Sequence, residues 1–315
     1  MEIQRVAITG SSGYLGRMLV DQCLNRNAKV LGIDIAPSDN STIGDFRELL
    51  LDVRSPDLQR ELNNFQPDTV IHGAFIFQPM RNEKEMRDIN VGGFKNLLEA
   101  MATVQPKRFH VVSSATAYGA GKNHALPRDE NSPMHRSTFQ YAADKFDIER
   151  LRKTFEQQHP EITVSCSRPC LIGGPKIDNY FSRFLFGMPV MILPGGSDTP
   201  LQFVHEKDVT DAIMKIVEAS ARGAFNIGPG DSSSLSMIAS KSGRRAIKLP
   251  FWFCHAVHWL AWNCHVPIHE SPPTLLEFAR YPWLVDSARL TEELGFQFQY
   301  SSDQTLDIMI DHLQR

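Results

Sequence analysis

The sequence has no apolar run of the length that a membrane-spanning helix requires. It also has no long basic run, and its 33 lysines and arginines against 36 aspartates and glutamates give a net charge of −3. A nucleic-acid partner is therefore not expected. The five cysteines are scattered and form no CxxC pair, which predicts a reduced, cytoplasmic setting. The N-terminus shows no charged and then apolar leader, so no secretory signal is expected.

A glycine-rich turn between a strand and a helix lies close to the N-terminus. Residues 5–9 form a short, mainly β-branched apolar run that predicts a buried strand, and helical spacing of apolar residues begins at Tyr14. Between them the glycines follow the pattern GxxGxxG, at Gly10, Gly13 and Gly16. Glycine lets the backbone approach a pyrophosphate, and the helix N-terminus offers it free N–H groups. The turn therefore predicts a dinucleotide site.

An acidic residue ends the next predicted strand, at 29–34. Asp34 lies about as far downstream of the glycines as the acid that binds the ribose hydroxyls of an adenosine. No basic residue follows it in Ile35-Ala36-Pro37 to pair with a 2′-phosphate. The sequence therefore predicts NAD rather than NADP.

Strand and helix patterns alternate through the first half of the chain. Further strands are predicted at 49–53, 68–74, 109–113 and 163–168, and long helices at 83–103 and 139–159. Six alternations predict an α/β fold with a doubly wound parallel sheet of the Rossmann type. We expect an NAD-binding domain at 1–170 and a smaller, mixed substrate domain at 171–315, with some segments packing back on the first.

A tyrosine and a lysine four residues apart, Tyr141 and Lys145, share one face of a predicted helix. A phenol titrates near pH ~10 unaided, and a neighbouring cation is expected to lower its pKa, so that Tyr141 exchanges a proton near neutral pH. Ser113 and Ser114 follow the preceding strand and offer hydroxyl groups at the same edge of the sheet.

These motifs resemble the extended branch of the short-chain dehydrogenase/reductase superfamily, in its NAD-dependent epimerase/dehydratase family. The resemblance covers most of the chain. Besides the glycine turn and the YxxxK pair, the matching segments are 71–74 (IHGA), 90–93 (NVGG), 113–119 (SSATAYG), 168–175 (RPCLIGGP), 202–209 (QFVHEKDV), 225–228 (FNIG) and 284–296.

The resemblance implies a role for each matching residue. Ser114 would bind the reacting oxygen (with Ser113 as the nearby alternative), Tyr141 would exchange its proton, and Lys145 would hold the nicotinamide ribose. Asn90 would steady the active site. The residues expected at NAD are Gly10, Ser12, Gly13, Tyr14, Leu15, Gly16, Asp34, Asp52, Val53, Ala74, Tyr141, Lys145 and Arg168. Those expected at the substrate are Phe75, Ser114, Tyr118, Tyr180 and Leu201.

Three polar residues have alternative interpretations. Asp52 would approach the adenine in the resembled family, or it would cap a helix beginning near Pro56. His72 is a catalytic candidate, but a packed histidine beside NAD is favoured. Asp208 is expected to cap or brace a helix that runs to about Ala219.

The sequence departs from two branches of the resembled family. Nucleotide-sugar epimerases carry an arginine four residues before the histidine of the Val-His motif, where this chain has Leu201. Arg280 does not align with their second arginine. Sugar-nucleotide 4,6-dehydratases carry an Asp-Glu pair directly after the catalytic hydroxyl, where this chain has Ala115 and Thr116.

An aromatic stretch at 249–269 holds three of the four tryptophans, together with histidines and two cysteines. It loosely resembles the C-terminal segment of 3β-hydroxysteroid dehydrogenases and their bacterial relatives. We predict a helix that roofs the substrate pocket. The spacing of Cys254, His258 and His269 fits no zinc pattern, so no metal site is predicted. A membrane-surface helix would need lysine or arginine, which is lacking between Phe251 and Ile268.

The motifs together predict reversible, NAD-dependent oxidation of a secondary alcohol on a partly apolar small molecule. The alternatives are a nucleotide-sugar 4-epimerase that keeps NAD bound and, from another class, an NAD-sensing protein without turnover. In the resembled family the helices equivalent to 83–103 and 139–159 pair across a two-fold axis, so a homodimer is expected.

Overall fold

The computed structural model describes residues 3–38, 44–122, 124–175, 177, 180–266 and 271–313. Its strands are β1 Arg5–Thr9, β2 Lys29–Asp34, β3 Phe46–Leu50, β4 Thr69–His72, β5 Arg108–Val112, β6 Thr163–Pro169, β7 Leu171–Gly173, β8 Val190–Pro194, β9 Pro200–Leu201, β10 Phe203–His205, β11 Gly223–Ile227, β12 Ser233–Ser234 and β13 Arg245–Leu249.

The α-helices are α1 Tyr14–Leu24, α2 Leu58–Phe65, α3 Glu83–Arg87, α4 Gly93–Val104, α5 Gln140–Gln158, α6 Tyr180–Phe186, α7 Glu206–Glu218, α8 Leu235–Lys241, α9 Phe251–Asn263, α10 Leu276–Arg280, α11 Ala288–Leu294 and α12 Ser302–Leu313. A π-helical turn, Asp88–Gly92, joins α3 to α4. Short 3₁₀ turns lie at Ala115–Tyr118 and Pro273–Leu275.

Seven strands form one parallel sheet in the order β11-β6-β5-β4-β1-β2-β3. Side chains alternate between its faces, so Val6 and Ile8 join one apolar cluster while Ala7 joins the cluster on the opposite face. The strand order reverses between β1 and β4, and sheets of this kind bind ligands outside the carboxyl ends of the strands at such a point. The predicted doubly wound parallel fold is confirmed.

The C-terminal part of the chain forms smaller pairs of strands, β7 with β10, β9 with β12 and β8 with β13. A third apolar cluster, which includes Leu193, Phe203, Ile238 and Met309, holds them together. β11 joins the large sheet beside β6, so this segment after residue 171 packs on the cofactor-binding half.

Two predicted elements have different bounds in the structure. β3 covers Phe46–Leu50, whereas the sequence predicted a strand at 49–53. The prediction relied on apolar runs, and this edge strand contains the exposed polar residues Arg47 and Glu48. The helix predicted at 83–103 is interrupted by the π-helical turn at Asp88–Gly92. The expected pairing of α4 and α5 with a second subunit stays a prediction.

Two of the open alternatives concern helix caps. Asp57, not Asp52, stands at the N-cap of α2, which begins at Leu58, so the capping interpretation of Asp52 is wrong. The Asp208 carboxylate accepts hydrogen bonds from the backbone N–H groups of Gln299 and Tyr300, and it thereby braces α7 against the C-terminal segment.

Within the described residues, no helix combines the length and apolarity that crossing a membrane requires.

Candidate active site

A cavity of about 590 Å³ opens where β1, β4, β5 and β6 end. One end is lined by the glycine turn, which contributes Gly10, Gly13 and Gly16. The other end is lined mainly by aromatic and aliphatic side chains. They include Phe75, Phe77, Phe139, Tyr180, Phe181, Leu275, Phe278 and Trp283.

The glycine turn brings bare backbone to the cavity. Gly10 has a φ of +74°, and a Cβ on it would lie 2.6 Å from the backbone nitrogen of Ala74. Gly16 packs so closely on the Gly10 carbonyl that a side chain there would displace the turn. Gly13 is the N-cap of α1 and provides no side-chain cap, so N–H groups of the first turn remain for a ligand. These features fit the diphosphate of a dinucleotide.

Arg17 also lines this end of the cavity and adds a positive charge that the sequence analysis did not identify.

The Asp34 carboxylate is held at the end of β2 beside the glycine turn. It accepts hydrogen bonds from the backbone N–H groups of Ser12 at 2.9 Å, Ile35 at 2.7 Å and Ala36 at 3.2 Å. The Ser12 hydroxyl donates to the Ala36 carbonyl at 2.8 Å and closes the same loop. These backbone donors therefore hold the carboxylate in place beside the glycine turn.

Asp52 and Val53 follow β3. The Arg54 guanidinium donates to Asp52 at 2.7 Å, and this contact lowers the pKa of the carboxyl. Val53 is buried, and its side chain packs against Gly93, where a Cβ would meet it at 2.5 Å.

The hydroxyl groups of Ser114, Thr116 and Tyr141 converge at the centre of the cavity. Ser114 caps the 3₁₀ turn by accepting from the Thr116 backbone N–H, and the Thr116 hydroxyl donates to it at 3.0 Å. Both side chains act on the nearby Tyr141 phenol in the direction that lowers its pKa. The nearby Ser113 hydroxyl is buried, lines the cavity and has no partner among the described residues. Thr116 is a site residue that the sequence analysis missed, although it lies two residues after Ser114.

Lys145 lies one helical turn from Tyr141, yet its ammonium group is directed elsewhere. Its Nζ donates to the Val112 carbonyl at 2.9 Å and lies 3.6 Å from the centre of the Phe75 ring. Burial lowers the pKa of Lys145 to about 7. Burial also raises the pKa of Tyr141 to about 12, although Ser114 and Thr116 act in the opposite direction. The expected lowering of the Tyr141 pKa by Lys145 is thus wrong for this structure, since desolvation is the larger effect.

Asn90 connects three parts of the site. Its side-chain oxygen accepts from the Ile76 backbone N–H at 2.8 Å, and its amide donates to the Asp144 carboxylate at 3.1 Å. The π-helical turn places it there, and such turns recur at functional sites. Asp144 also accepts from Gln140 at 2.6 Å. Asn90 therefore ties the loop that carries Phe75 and Phe77 to the start of α5.

The glycine turn, the Tyr141–Lys145 pair beside Ser114 and the doubly wound parallel sheet are the features that the sequence resemblance implies. A model of the NAD-dependent epimerase/dehydratase family matches residues 6–228. The chain belongs to this family. NAD is the cofactor of the family, so the prediction of that cofactor is confirmed.

The epimerase/dehydratase fold extends over nearly the whole chain. An uncharacterized protein of Mycobacterium tuberculosis is 27% identical over 315 residues, covering 96% of this chain and 82% of that protein. The UDP-glucose 4-epimerase of Mycolicibacterium smegmatis is 28% identical over 254 residues, covering 73% and 79%. The structure of a UDP-glucose 4-epimerase from Thermotoga maritima superposes with a TM-score of 0.77 at 18% identity, covering 99% of both chains.

Besides Ser12, Asp34, Asp52, Val53, Ala74 and Asn90, three further residues that the family resemblance placed at the site do not line the cavity. The Tyr118 hydroxyl is buried between Asn226 and the Asp129 carbonyl, each 2.9 Å away. Arg168 forms a buried ion pair with Glu149 at 2.7 Å. Leu201 is buried in β9, beneath the cavity wall. In this structure the three side chains bond to or pack against other parts of the protein.

His72 is packed beneath the glycine turn, as favoured from the sequence. Its Nδ1 lies 2.7 Å from the Thr9 hydroxyl, and burial lowers its pKa to about 3. The imidazole is therefore neutral at physiological pH. It does not line the cavity.

The aromatic stretch forms α9, but α9 does not roof the large cavity. Its buried side chains, Cys254 and His258, line a separate cavity of about 90 Å³ with Phe184, Met191 and Leu276. The predicted roof is wrong, because α10 and the preceding 3₁₀ turn supply Leu275 and Phe278 to the large cavity instead. His269 lies outside the described residues.

Proposed function

We propose that the protein catalyses reversible hydride transfer between NAD and a secondary alcohol or ketone on a largely apolar small molecule. The observation that carries the proposal is the wall around Tyr141. Its ring lies 5.3 Å from Phe75 and 5.1 Å from Phe77, and Phe77 lies 4.7 Å from Tyr180. Such a wall suits an apolar body with one oriented oxygen at the hydroxyl cluster.

Each residue of the hydroxyl cluster has a role in this proposal. NAD supplies the hydride acceptor and donor. Ser114 binds the reacting oxygen, and Tyr141, neutral because of its raised pKa, exchanges a proton with that oxygen. Lys145, held by the Val112 carbonyl, is positioned to hold the nicotinamide ribose. A protein that only sensed NAD would not need this proton-exchange group, so the cluster favours an enzyme over a sensor.

A UDP-hexose 4-epimerase is the second candidate, favoured by the names of the similar proteins from Mycolicibacterium smegmatis and Thermotoga maritima. A diphosphate carries charges that arginine normally meets, and burying them without partners is costly. Leu201 offers no such partner. The Arg280 guanidinium stacks 4.3 Å from the Phe251 ring, outside the residues that line the large cavity.

The two candidates predict different ligands. With NAD present, alicyclic secondary alcohols of steroid-like size should raise the melting temperature, and UDP-glucose and UDP-galactose should not. A ligand at about 100 times its Kd stabilises by about 2.7 kcal/mol, which corresponds to a rise of several degrees. The alcohol should also produce NADH that accumulates, whereas an epimerase returns the hydride.

Arginine variants make this comparison decisive. Arg183 is exposed on α6, next to Phe181 and Ser182, which line the large cavity. Stabilisation by UDP-hexose alone, lost in Arg183→Ala or Arg280→Ala but kept in the control Arg150→Ala, would establish the epimerase. Arg150 is exposed on α5, so its loss changes the net charge equally without touching the cavity.

Cofactor preference provides a separate prediction. Asp34→Ala should weaken NAD binding about tenfold or more, because a hydrogen bond to a charged group contributes about 1.5–3 kcal/mol. NADP binding should stay equal or improve, since the carboxylate that repels its 2′-phosphate is gone. Calorimetric titration measures both, with Asp45→Ala, an exposed acid paired with Lys29, as the charge-matched control. Tighter binding of NADP than NAD by the unmutated protein would contradict the assignment.

A further inference from the structure

α9 has one side against the protein and an apolar side in solvent. Cys254, His258 and Ala261 are buried on the inner side. On the outer side the exposed fractions reach 71% for Trp252 and 54% for Trp259. Phe253, Val257 and Leu260 are also exposed. We call these five outer side chains the α9 face.

This face holds five of the ten large apolar side chains that are exposed among the described residues, and six of the ten belong to β13 and α9. Large exposed apolar patches are uncommon on monomeric proteins and mark interaction surfaces.

The surroundings of the α9 face are cationic. Arg245 and Lys248 are exposed on β13, which leads directly into α9. Arg280 stacks on Phe251 at one end of the helix, and Arg81 stacks on Trp262 at the other, at 4.3 and 4.4 Å. The sequence has no acidic residue between Asp231 and Glu270. The neighbouring Asp198 interacts with Lys248, and acids also lie on α10 with Arg280 (Glu277) and at the start of α3 after Arg81 (Glu83).

We propose that the α9 face binds the surface of an anionic lipid bilayer, with the helix lying in the interface. Tryptophan and leucine enter the boundary between headgroups and acyl chains, while flanking lysine and arginine pair with anionic headgroups. The 13 residues of α9 span about 20 Å, which suits a helix in the plane of the membrane. The sequence alone argued against this, because the cations come from β13, α10 and the loop before α3 rather than from the helix itself.

The α9 face is also close to the active site. The 3₁₀ turn packs against α9, and α10 reaches it through Arg280 on Phe251; the two elements contribute Leu275 and Phe278 to the large cavity. On the inner side, Phe184 lies 5.8 Å from His258 and 6.1 Å from Phe181, which lines the large cavity. Apolar side chains therefore continue from the lipid-binding helix to the cavity. The membrane proposal rests on the α9 face and not on the proposed reaction.

Vesicle binding tests the proposal. The full chain should cosediment with vesicles of equal parts phosphatidylcholine and phosphatidylglycerol, and its tryptophan fluorescence should shift to the blue. Trp252→Glu and Trp259→Glu should each lower the partition coefficient at least about tenfold. Leu50→Glu is the matched control, because Leu50 is 57% exposed on the edge strand β3 and lies outside the α9 face.

Charge and oligomeric state complete the test. Replacing Arg245 and Lys248 together by alanine should lower binding about 30-fold, since each cation near an anionic surface contributes roughly a factor of five. Salt should weaken binding, and pure phosphatidylcholine should bind poorly. Absence of binding to the anionic vesicles would overturn the proposal. So would a dimer in solution that Trp252→Glu dissociates, because the α9 face would then be covered by a second copy.

Discussion

Tyr141→Phe should lower kcat by about a hundredfold to ten-thousandfold, which is the usual contribution of general acid–base catalysis. The substitution removes the hydroxyl beside Ser114 and Thr116 and keeps the ring that packs on Phe75 and Phe77. The fold and NAD affinity should therefore change little. Steady-state kinetics on the substrate identified by the ligand comparison, with calorimetric titration of NAD, measures both quantities.

A control separates loss of the proton from loss of any tyrosine hydroxyl. Tyr281→Phe removes a phenol that does not line the cavity and should leave kcat within about twofold of the unmutated protein, because no proton-exchange group is lost. Most of the activity surviving in Tyr141→Phe would mean that another group exchanges the proton. The buried Ser113 hydroxyl, unpartnered among the described residues, would then be the first to examine.

Local patterns predicted where the glycine turn, Asp34 and the YxxxK pair lie in the fold. The glycine turn and the YxxxK pair depend on spacing within a few residues, and spacing is visible in the sequence. Asp34 was placed in the same way, because it ends a strand of ordinary apolar composition. The bounds of β1 and β2 agree with the prediction for the same reason.

Long-range contacts determined what the sequence did not reveal. Tyr118 lies close in sequence to Ser114, yet its hydroxyl bonds to Asn226, which is 108 residues away. Arg168 follows the family motif, but its charge is used to pair with Glu149 on α5. The local motif gives no sign of either partner.

Tertiary surroundings likewise changed the interpretation of charge. The Tyr141 pKa was expected to fall because Lys145 is one turn away, but burial dominates and the ammonium group turns to Val112. The α9 segment looked unsuited to a lipid surface because it holds no lysine or arginine. Residues distant in sequence, Arg81 and Arg280, supply cations at its two ends.

Of the substitutions proposed here, replacing Glu149 should lower the free energy of unfolding the most. Glu149 lies four residues after Lys145 on α5, and its buried carboxylate pairs with Arg168 at 2.7 Å and Arg152 at 3.3 Å. Glu149→Gln leaves two buried guanidinium groups without their shared counter-ion. Removing one partner of a buried ion pair costs about 3–5 kcal/mol of unfolding free energy. Denaturant titration should show this loss, and the melting temperature should fall by several degrees.

The pH dependence and a neighbouring variant distinguish the buried pair from a general effect of charge. The two arginines hold the pKa of Glu149 well below its usual value, so the pair stabilises the fold fully above the unfolded pKa of about 4.5. That stabilisation is lost as the pH falls below it, and the difference between Glu149→Gln and the unmutated protein should narrow there. Glu156→Gln, which removes a half-buried partner of Arg152, should cost less than about 1 kcal/mol. Equal losses in the two variants, or a difference that does not change with pH, would show that the Glu149 pair does not stabilise the helix that carries Tyr141 and Lys145.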